Sequence, residues 1–251
     1  MQPLVRDNIR LAATVMLVRD AIDGLEVYMV QRPGKGAFPD LHVFPGGKVD
    51  ADDLAPQICI GIDDQEASQR LGLAQGGLRY WVAMARECFE ECGVLLAHQH
   101  GQPIDLTKPA VGMHFDSCRR ALLAGEISFS ALCAREDLTI RCDLLAYFSH
   151  WITPDSAPRR FDTRFFLAAM PEFQDTAADT EETTDDQWER PSEALAHHAN
   201  STWQMIDPTL RSLETLSRYD TVAQALAGVI RADHLMPLTE KLTGQGMQPL
   251  R

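Results

Sequence analysis

Hydrophobic and polar positions alternate near the N-terminus in a pattern that is typical of paired strands. Residues 9–18 and 25–31 are β-branched or alternating runs, and the segment between them ends with Asp23-Gly24. An Asp-Gly step between two such runs is a strong signal for a β-hairpin. A short strand is also predicted at residues 43–44, and we expect Pro45-Gly46-Gly47 to end it abruptly.

The clearest helix is predicted for residues 78–92. Counted at about 100° per residue, its apolar side chains fall on one broad face, which we expect to be buried: Leu78, Trp81, Val82, Ala85, Cys88, Phe89 and Cys92. Gly93 follows at the position where a glycine commonly ends a helix.

The rest of the pattern alternates helices with strands. Helices are predicted near residues 115–123, near 129–137, from 191 onward and over most of 208–235. Strands are predicted at residues 144–152 and 161–169 and around Trp188. Residues 48–77 are acidic and weakly periodic, so they predict an inserted loop with one short helix and no core of its own. This mixture indicates an α/β protein.

Composition and charge narrow the function classes. The chain has 251 residues, 45% hydrophobic and 24% charged, which is enough for a sizeable core. Its net charge of −13 argues against nucleic acid as a partner and favours small molecules or proteins. The apolar stretch at residues 11–18 is shorter than the roughly 20 residues that span a bilayer, and no signal-peptide cleavage site follows it. We therefore expect a cytoplasmic protein without membrane contact, whose six cysteines are free thiols.

Three acidic residues share the other face of the predicted helix. Glu87, Glu90 and Glu91 lie at relative angles of about 0°, −60° and +40° on a 3.6-residue count. Like charges this close destabilise a helix unless a cation offsets them. Oxygen ligands favour hard ions such as Mg²⁺ or Mn²⁺, so the face is a candidate metal site. The alternative is a solvated acidic surface.

The same segment carries a specific motif. Arg86-Glu-Cys-Phe-Glu-Glu-Cys-Gly-Val94 follows the pattern R-E-U-x-E-E-x-G-U, where U is a bulky apolar residue, and resembles the second half of the Nudix box. The first half is recognisable at Phe44-Pro-Gly-Gly47, with Asp53 at the position usually held by Glu. Thirty-two residues separate Asp53 from Arg86 where the box has seven, so an insertion of about 25 residues, near 54–77, splits the box at 47–94.

The resemblance implies a fold and a reaction. The split box, the Phe44-Pro-Gly-Gly47 entry, Trp151-Ile-Thr-Pro154 and the segment 159–166 are similar to the Nudix branch of the peroxisomal coenzyme A diphosphatases. A Nudix-type α/β/α sandwich with a mixed sheet is implied over residues 1–200, with a helical C-terminal extension at 201–251 packed on it. The implied activity is metal-dependent hydrolysis of a diphosphate, with coenzyme A or acyl-coenzyme A first and ADP-ribose, NADH or a dinucleotide next. A non-catalytic Nudix-fold regulator that binds a nucleotide is the alternative of another class.

The resemblance also assigns roles to residues. Glu90 and Glu91 would be the main ligands of Mg²⁺ or Mn²⁺, Glu87 a third ligand or the catalytic base, and the Gly46 carbonyl a further ligand. Arg86 would hold a carboxylate in place. Asp53 is one methylene shorter than Glu, so weaker support through a water molecule is expected there. Asp50 or Asp52 would take its role if the insertion shifts the register.

Further residues are candidates for binding a nucleotide substrate. An acidic protein needs local positive charge to hold a diphosphate; the candidates are Arg32, Lys35, Lys48, Arg159, Arg160 and Arg164. Among the acids of residues 175–189, Glu182 is the first choice to return to the metal cluster. The leucine spacing after residue 208 suits either core packing or the seam of a homodimer.

Overall fold

A computed structural model describes residues 5–6, 9–33, 40–154, 156–157, 159–178, 185–233, 239–243 and 246–249. Its strands, in chain order, are β1 (Val5–Arg6), β2 (Ile9–Ala21), β3 (Gly24–Gln31), β4 (His42–Val43), β5 (Gly46–Lys48), β6 (Cys59–Ile60), β7 (Ala97–Gln99), β8 (Gln102–Pro103), β9 (Leu138–Arg141), β10 (Leu145–Ile152), β11 (Phe161–Ala169), β12 (Asp185–Glu189), β13 (Thr239–Thr243) and β14 (Gly246–Pro249). Its helices are α1 (Asp64–Leu71), α2 (Arg79–Cys92), α3 (Pro109–Leu123), α4 (Phe129–Glu136), α5 (Pro191–Ala199), α6 (Asp207–Leu216) and α7 (Val222–Asp233).

The strands form two sheets. The large one has the order β12-β3-β2-β11-β10-β13-β14, with β1 and β5 also paired to β2 and β4 paired to β3. It is mixed, because β2 with β11 and β10 with β13 run parallel while the other pairs are antiparallel. The small sheet has the order β6-β9-β7-β8. The predicted α/β fold with a mixed sheet is confirmed.

The long strand β2 organises the site. Its last residues pair with β3 from Val18 opposite Val27 to Ala21 opposite Gly24, which confirms the predicted hairpin. The predicted short strand ends before Pro45, as expected, and Gly46 then begins the separate strand β5, which pairs with an earlier part of β2. Glycine is required here: Gly46 has φ +155°, and a Cβ on it would lie 2.5 Å from the Ala13 carbonyl oxygen.

Both faces of the large sheet are covered, as its alternating side chains require. On one face, Leu11 and Val15 of β2 pack in a core with α2, α3 and α4. On the other, Met16 and Val18 pack with α6 and α7. Among the described residues no helix is both long and apolar enough to cross a membrane.

The insertion packs into the first of these cores. It holds α1, and its residues Ile58, Ala67 and Leu71 are buried in the same cluster as α2. The prediction of one short helix without a separate core is therefore confirmed.

The C-terminal segment differs in part from the prediction. Helices α6 and α7 form, and Leu213 and Leu216 are fully buried against the sheet, which favours core packing for these two leucines. The expectation of a helical extension to residue 251 is wrong, because β13 pairs with β10 and β14 pairs with β13. Threonines at 239 and 243 and a glycine at 246 have low helix propensity, which explains the change.

Candidate active site

Helix α2 carries the candidate site, and its local sequence determines where the helix ends. The helix ends at Cys92, where Gly93 takes φ 71° and donates its N–H to the Phe89 carbonyl. All seven residues of the predicted apolar face are buried, which confirms that expectation. The helix therefore holds its opposite face toward β5 and the turn at Ala51–Asp53.

Arg86 is the centre of the polar face. Its Nε and one terminal nitrogen donate to the two carboxylate oxygens of Asp53, at 2.9 and 3.1 Å. The other terminal nitrogen donates to Glu87 Oε1 at 2.9 Å and to Glu90 Oε2 at 2.8 Å. The Lys48 carbonyl accepts a further hydrogen bond at 2.7 Å. The guanidinium thus fixes Glu87, Glu90, the turn at Ala51–Asp53 and β5 relative to one another, as expected for a residue that holds carboxylates in place.

The glycine pair brings β5 against the box carboxylates. The Gly46 N–H donates to Glu91 Oε2 at 2.8 Å. A Cβ on Gly47 would collide with the carboxylate of Glu87, so only glycine leaves room for that side chain. Glu87 and Glu91 are 8% and 6% exposed, which excludes the alternative of a solvated acidic surface for these two residues.

The electrostatics of the face follow from this burial. Burial raises the pKa of Glu87 well above its ordinary range; Arg86 opposes the rise, and Glu91 and Glu90 add to it. Burial alone would lower the pKa of Arg86, but Glu87 and the paired Asp53 raise it. The arginine therefore stays charged, while the carboxylates repel one another at close range.

Asp53 makes a direct contact despite its shorter side chain. It is 1% exposed and pairs bidentately with Arg86, so the expected water-mediated support at this position is not what the structure has. The turn at Ala51–Asp53 compensates for the missing methylene, and the Asp50 N–H donates to Asp53 Oδ2 at 2.7 Å. Because Asp53 itself pairs with Arg86, neither Asp50 nor Asp52 takes its role through a shifted register.

Of the candidate substrate residues, Arg32 is brought to the box. It donates to the Gly46 carbonyl at 3.2 Å, the oxygen expected to face a metal. A carbonyl oxygen has two lone pairs, so this contact leaves room for a second partner. Lys48 contributes its carbonyl to Arg86 and has an exposed side chain. Glu182 and Lys35 lie outside the described residues.

The three later arginines lie along β11 and the connection before it. Arg159 is exposed, and Arg160 donates to the Thr153 carbonyl at 3.2 Å. Arg164 is only 4% exposed; it donates to the Tyr147 hydroxyl, and its guanidinium lies over the ring of Tyr80. This burial leaves Arg164 little surface for a solvated phosphate.

One residue that ties the site together was missed by sequence reasoning. Arg119 of α3 donates twice to the Glu90 carbonyl, at 2.9 and 2.7 Å, and so satisfies an acceptor in the last turn of α2. The sequence carries no signal for this contact, because it depends on how α3 packs against α2.

The comparisons with known proteins agree with this geometry. Residues 75–216, more than half of the chain, match the family model described as the NUDT19 Nudix domain. The Homo sapiens protein named acyl-coenzyme A diphosphatase NUDT19 is 26% identical over 236 residues, covering 80% of this chain and 63% of the human protein. The Gallus gallus protein of the same name is 26% identical over 235 residues, covering 78% of this chain and 62% of that protein. The chain thus spans less than two thirds of these relatives.

A solved structure gives the same fold. The crystal structure of a NUDIX hydrolase from Alicyclobacillus acidocaldarius matches with a TM-score of 0.69 at 25% identity, covering 89% of this chain and 97% of that one. Agreement over nearly all of both chains extends the likeness beyond the box to the helices on both faces of the sheet.

Proposed function

Because the chain belongs to the NUDT19 Nudix-domain family, we propose that it is a Nudix hydrolase that cleaves the diphosphate of a nucleoside diphosphate linked to another moiety, with coenzyme A or acyl-coenzyme A as substrate. The substrate class is taken from the human and chicken relatives, which are named acyl-coenzyme A diphosphatases. The observation that carries the proposal is the arrangement of Glu87 and Glu91 against Gly46-Gly47, with Arg86 paired to the box carboxylates.

The donor set fits a divalent metal ion. The carboxylates of Glu87, Glu90 and Glu91 and the Gly46 carbonyl are the hard oxygen ligands that Mg²⁺ and Mn²⁺ prefer. Three carboxylates on one helix face repel one another, and a dication would offset that repulsion. We therefore assign Mg²⁺ or Mn²⁺ to these residues. Bound there, such an ion would polarise the phosphoryl oxygens and lower the pKa of the attacking water.

The chain's own residues supply position and proton transfer. Arg86 holds Glu87 and Glu90 in one orientation, and the Gly46 N–H fixes the Glu91 carboxylate. Glu87 serves either as the third oxygen ligand or as the base that takes a proton from water at its carboxylate. Arg32, beside the Gly46 carbonyl, is placed to contact the diphosphate. Arg159, Arg160, Arg164 and Glu182 remain predictions for substrate binding.

The reaction can be tested with a substrate mixture. The purified protein is incubated with Mg²⁺ or Mn²⁺ and coenzyme A, an acyl-coenzyme A, ADP-ribose, NADH and a diadenosine polyphosphate, and the products are identified by mass spectrometry. We expect adenosine 3′,5′-bisphosphate and 4′-phosphopantetheine or its acyl derivative. Cleavage of ADP-ribose or a dinucleotide alone would overturn the substrate. Thermal stabilisation by a nucleotide without cleavage would favour the binding regulator.

The role of the carboxylates is tested by Glu91→Gln. The amide keeps an oxygen that accepts the Gly46 N–H, so the fold should be retained. We expect turnover to fall by about 10²–10³-fold, the range for removing one preorganised charge contact in an active site. The matched control is Glu126→Gln, an exposed glutamate in the turn after α3, which should leave turnover unchanged. Unchanged turnover in Glu91→Gln would contradict the ligand assignment.

A further inference from the structure

A second group of ligand-type side chains lies between α3 and α4. His114 and Cys118 are four residues apart on α3, so they share one helix face, and Glu136 is the last residue of α4. The His114 Nε2 atom is 2.8 Å from Glu136 Oε2 and 3.7 Å from Cys118 Sγ. One ligand atom from each residue lies within 4.8 Å of the other two.

These separations approach those around one tetrahedral ion. Zinc bonds of about 2.3 Å to sulfur and about 2.0–2.1 Å to nitrogen place the two ligand atoms about 3.6 Å apart. The observed 3.7 Å between Cys118 Sγ and His114 Nε2 matches that edge. A tetrahedral nitrogen–oxygen edge is about 3.4 Å, so Glu136 would move outward by several tenths of an ångström. Its side chain is 14% exposed and His114 is about half exposed, so both have room to adjust.

We propose that His114, Cys118 and Glu136 form a zinc site, with water as the fourth ligand, separate from the box carboxylates. A thiolate, an imidazole and one carboxylate form a softer set than the all-oxygen donors of the box, and they favour Zn²⁺ over Mg²⁺. On binding, the Cys118 thiol loses its proton to solvent and the sulfur bonds to zinc, while neutral His114 ligates through Nε2. No electrons are transferred.

Arg135 already holds a positive charge at this position. Its guanidinium donates to Cys118 Sγ at 3.2 Å and to Glu136 Oε1 at 2.8 Å. The side chain is half exposed, so it can turn into solvent and free both ligands. Zinc and the Arg135 guanidinium therefore compete for the same sulfur and carboxylate. Removing the guanidinium should strengthen metal binding, whereas removing a ligand should weaken it.

Zinc at this position would join α3 to α4. Cys118 is 3% exposed and packs in the core that α3 shares with α2, and the next residue, Arg119, bonds to the Glu90 carbonyl of the box helix. A bound ion that the unfolded chain does not hold raises stability. The expected effect is therefore stabilisation of the α3–α4 pair without a direct role in hydrolysis.

The test uses Co²⁺ as a spectroscopic probe. The full chain is titrated with Co²⁺ in excess Mg²⁺, and the thiolate-to-cobalt charge-transfer absorption is followed, since oxygen ligands of the box cannot produce it. We expect the band in the native chain and its loss on addition of Zn²⁺. The Arg135→Gln variant should bind Co²⁺ about tenfold more tightly than the native chain does. His114→Ala should bind at least about tenfold more weakly, since losing even a group that only orients a ligand costs about 10–100-fold.

Cys118→Ser should abolish the band, and His114→Ala, at a half-exposed position, tests the site if the serine variant fails to fold. The matched controls are Cys59→Ser and His100→Ala, a half-buried cysteine and an exposed histidine outside the cluster, which should both keep the band. Absence of the band in the native chain, its persistence in Cys118→Ser, or weaker binding in Arg135→Gln would each overturn the proposal. Hydrolysis with Mg²⁺ should be unchanged in every variant that folds, so the outcome is independent of the proposed activity.

Discussion

Helix α2 is buried on two sides, by different physical means. Trp81 and Phe89 lie on the apolar side, packed among hydrophobic side chains of the sheet and its helices. Arg86, Glu87 and Glu91 lie on the other side, and each is less than a tenth exposed. Burying an apolar side chain requires only a complementary shape, because the hydrophobic free energy has no preferred direction and is roughly proportional to the apolar area removed from water. The polar side needs a partner for each charge, because an unpaired buried charge is strongly destabilising.

The polar side therefore depends on one residue far more than the apolar side does. The five N–H donors of an arginine are enough to serve several acceptors at once. Arg86 uses them on its own helix, on Asp53 of the turn at Ala51–Asp53 and on the Lys48 carbonyl of β5. On the apolar side, each side chain contributes the hydrophobic area that it buries, and its burial depends on no single neighbouring residue. Substitutions on the two sides should separate these two kinds of burial.

The largest effect is expected from Arg86→Ala. Removing one partner of a buried ion pair costs about 3–5 kcal/mol, and turnover should be lost as well because Glu87 and Glu90 lose their common anchor. Burial raises the pKa of Asp53, and in the variant its carboxylate would be unpaired. A buried acid with a raised pKa is least unfavourable when protonated, so the stability deficit should shrink as the pH is lowered below neutral. Urea unfolding at several pH values measures this.

Arg86→Lys is the matched control for that prediction. Lysine keeps the positive charge but lacks the planar fork that binds a carboxylate bidentately. We expect it to recover part of the stability and little of the turnover. Near-native stability of Arg86→Ala at neutral pH would show that the carboxylates do not depend on this guanidinium, and the contrast between the two sides of α2 would fail.

Trp81→Ala is expected to have a large effect on stability and a small one on turnover. Trp81 is fully buried, meets the ring of Phe166 edge-on at 4.8 Å between centroids, and donates to the Leu145 carbonyl. Truncating a buried aromatic residue costs about 3–5 kcal/mol. Turnover per folded molecule should stay within about twofold of the native value at low temperature, since the polar contacts remain. The control Trp81→Phe should lose less stability than Trp81→Ala. A large loss of turnover in Trp81→Phe would contradict the view that the apolar side of α2 contributes stability and the polar side activity.

The apolar side was predictable from sequence and the polar side only in part. A periodicity of 3.6 with a following glycine determines which residues of 78–92 face the core, because that information is local. The spacing of Glu87, Glu90 and Glu91 also placed them on one face. Their burial could not be predicted, because it depends on Gly47 and Asp53, which reach α2 through strand pairing and through the turn that follows β5.

Contacts between segments distant in sequence also account for the other differences between the predicted and the observed structure. The strands of the small sheet, such as β7 at Ala97–Gln99, are only two to four residues long, too short for alternation to distinguish them from loops. The pairing of β5 with β2 requires two glycines that also indicate a turn. The contact between Arg119 and the Glu90 carbonyl exists only once α3 is in place.

The smallest effect is expected from Asp53→Asn, which tests how the turn at Ala51–Asp53 supports the polar side. The amide can still accept one hydrogen bond from Arg86, but its NH₂ group would face the donors of Arg86 or the Asp50 N–H. Losing one hydrogen bond to a charged group costs about 1.5–3 kcal/mol. Turnover should fall through misplacement of Glu87, with Mg²⁺ affinity weakened as well. Asp52→Asn, at the exposed neighbouring position, is the matched control and should keep the native stability, turnover and Mg²⁺ affinity. If both variants behave alike, Asp53 gives Arg86 no specific support, and Arg86 is held by its own helix and β5 alone.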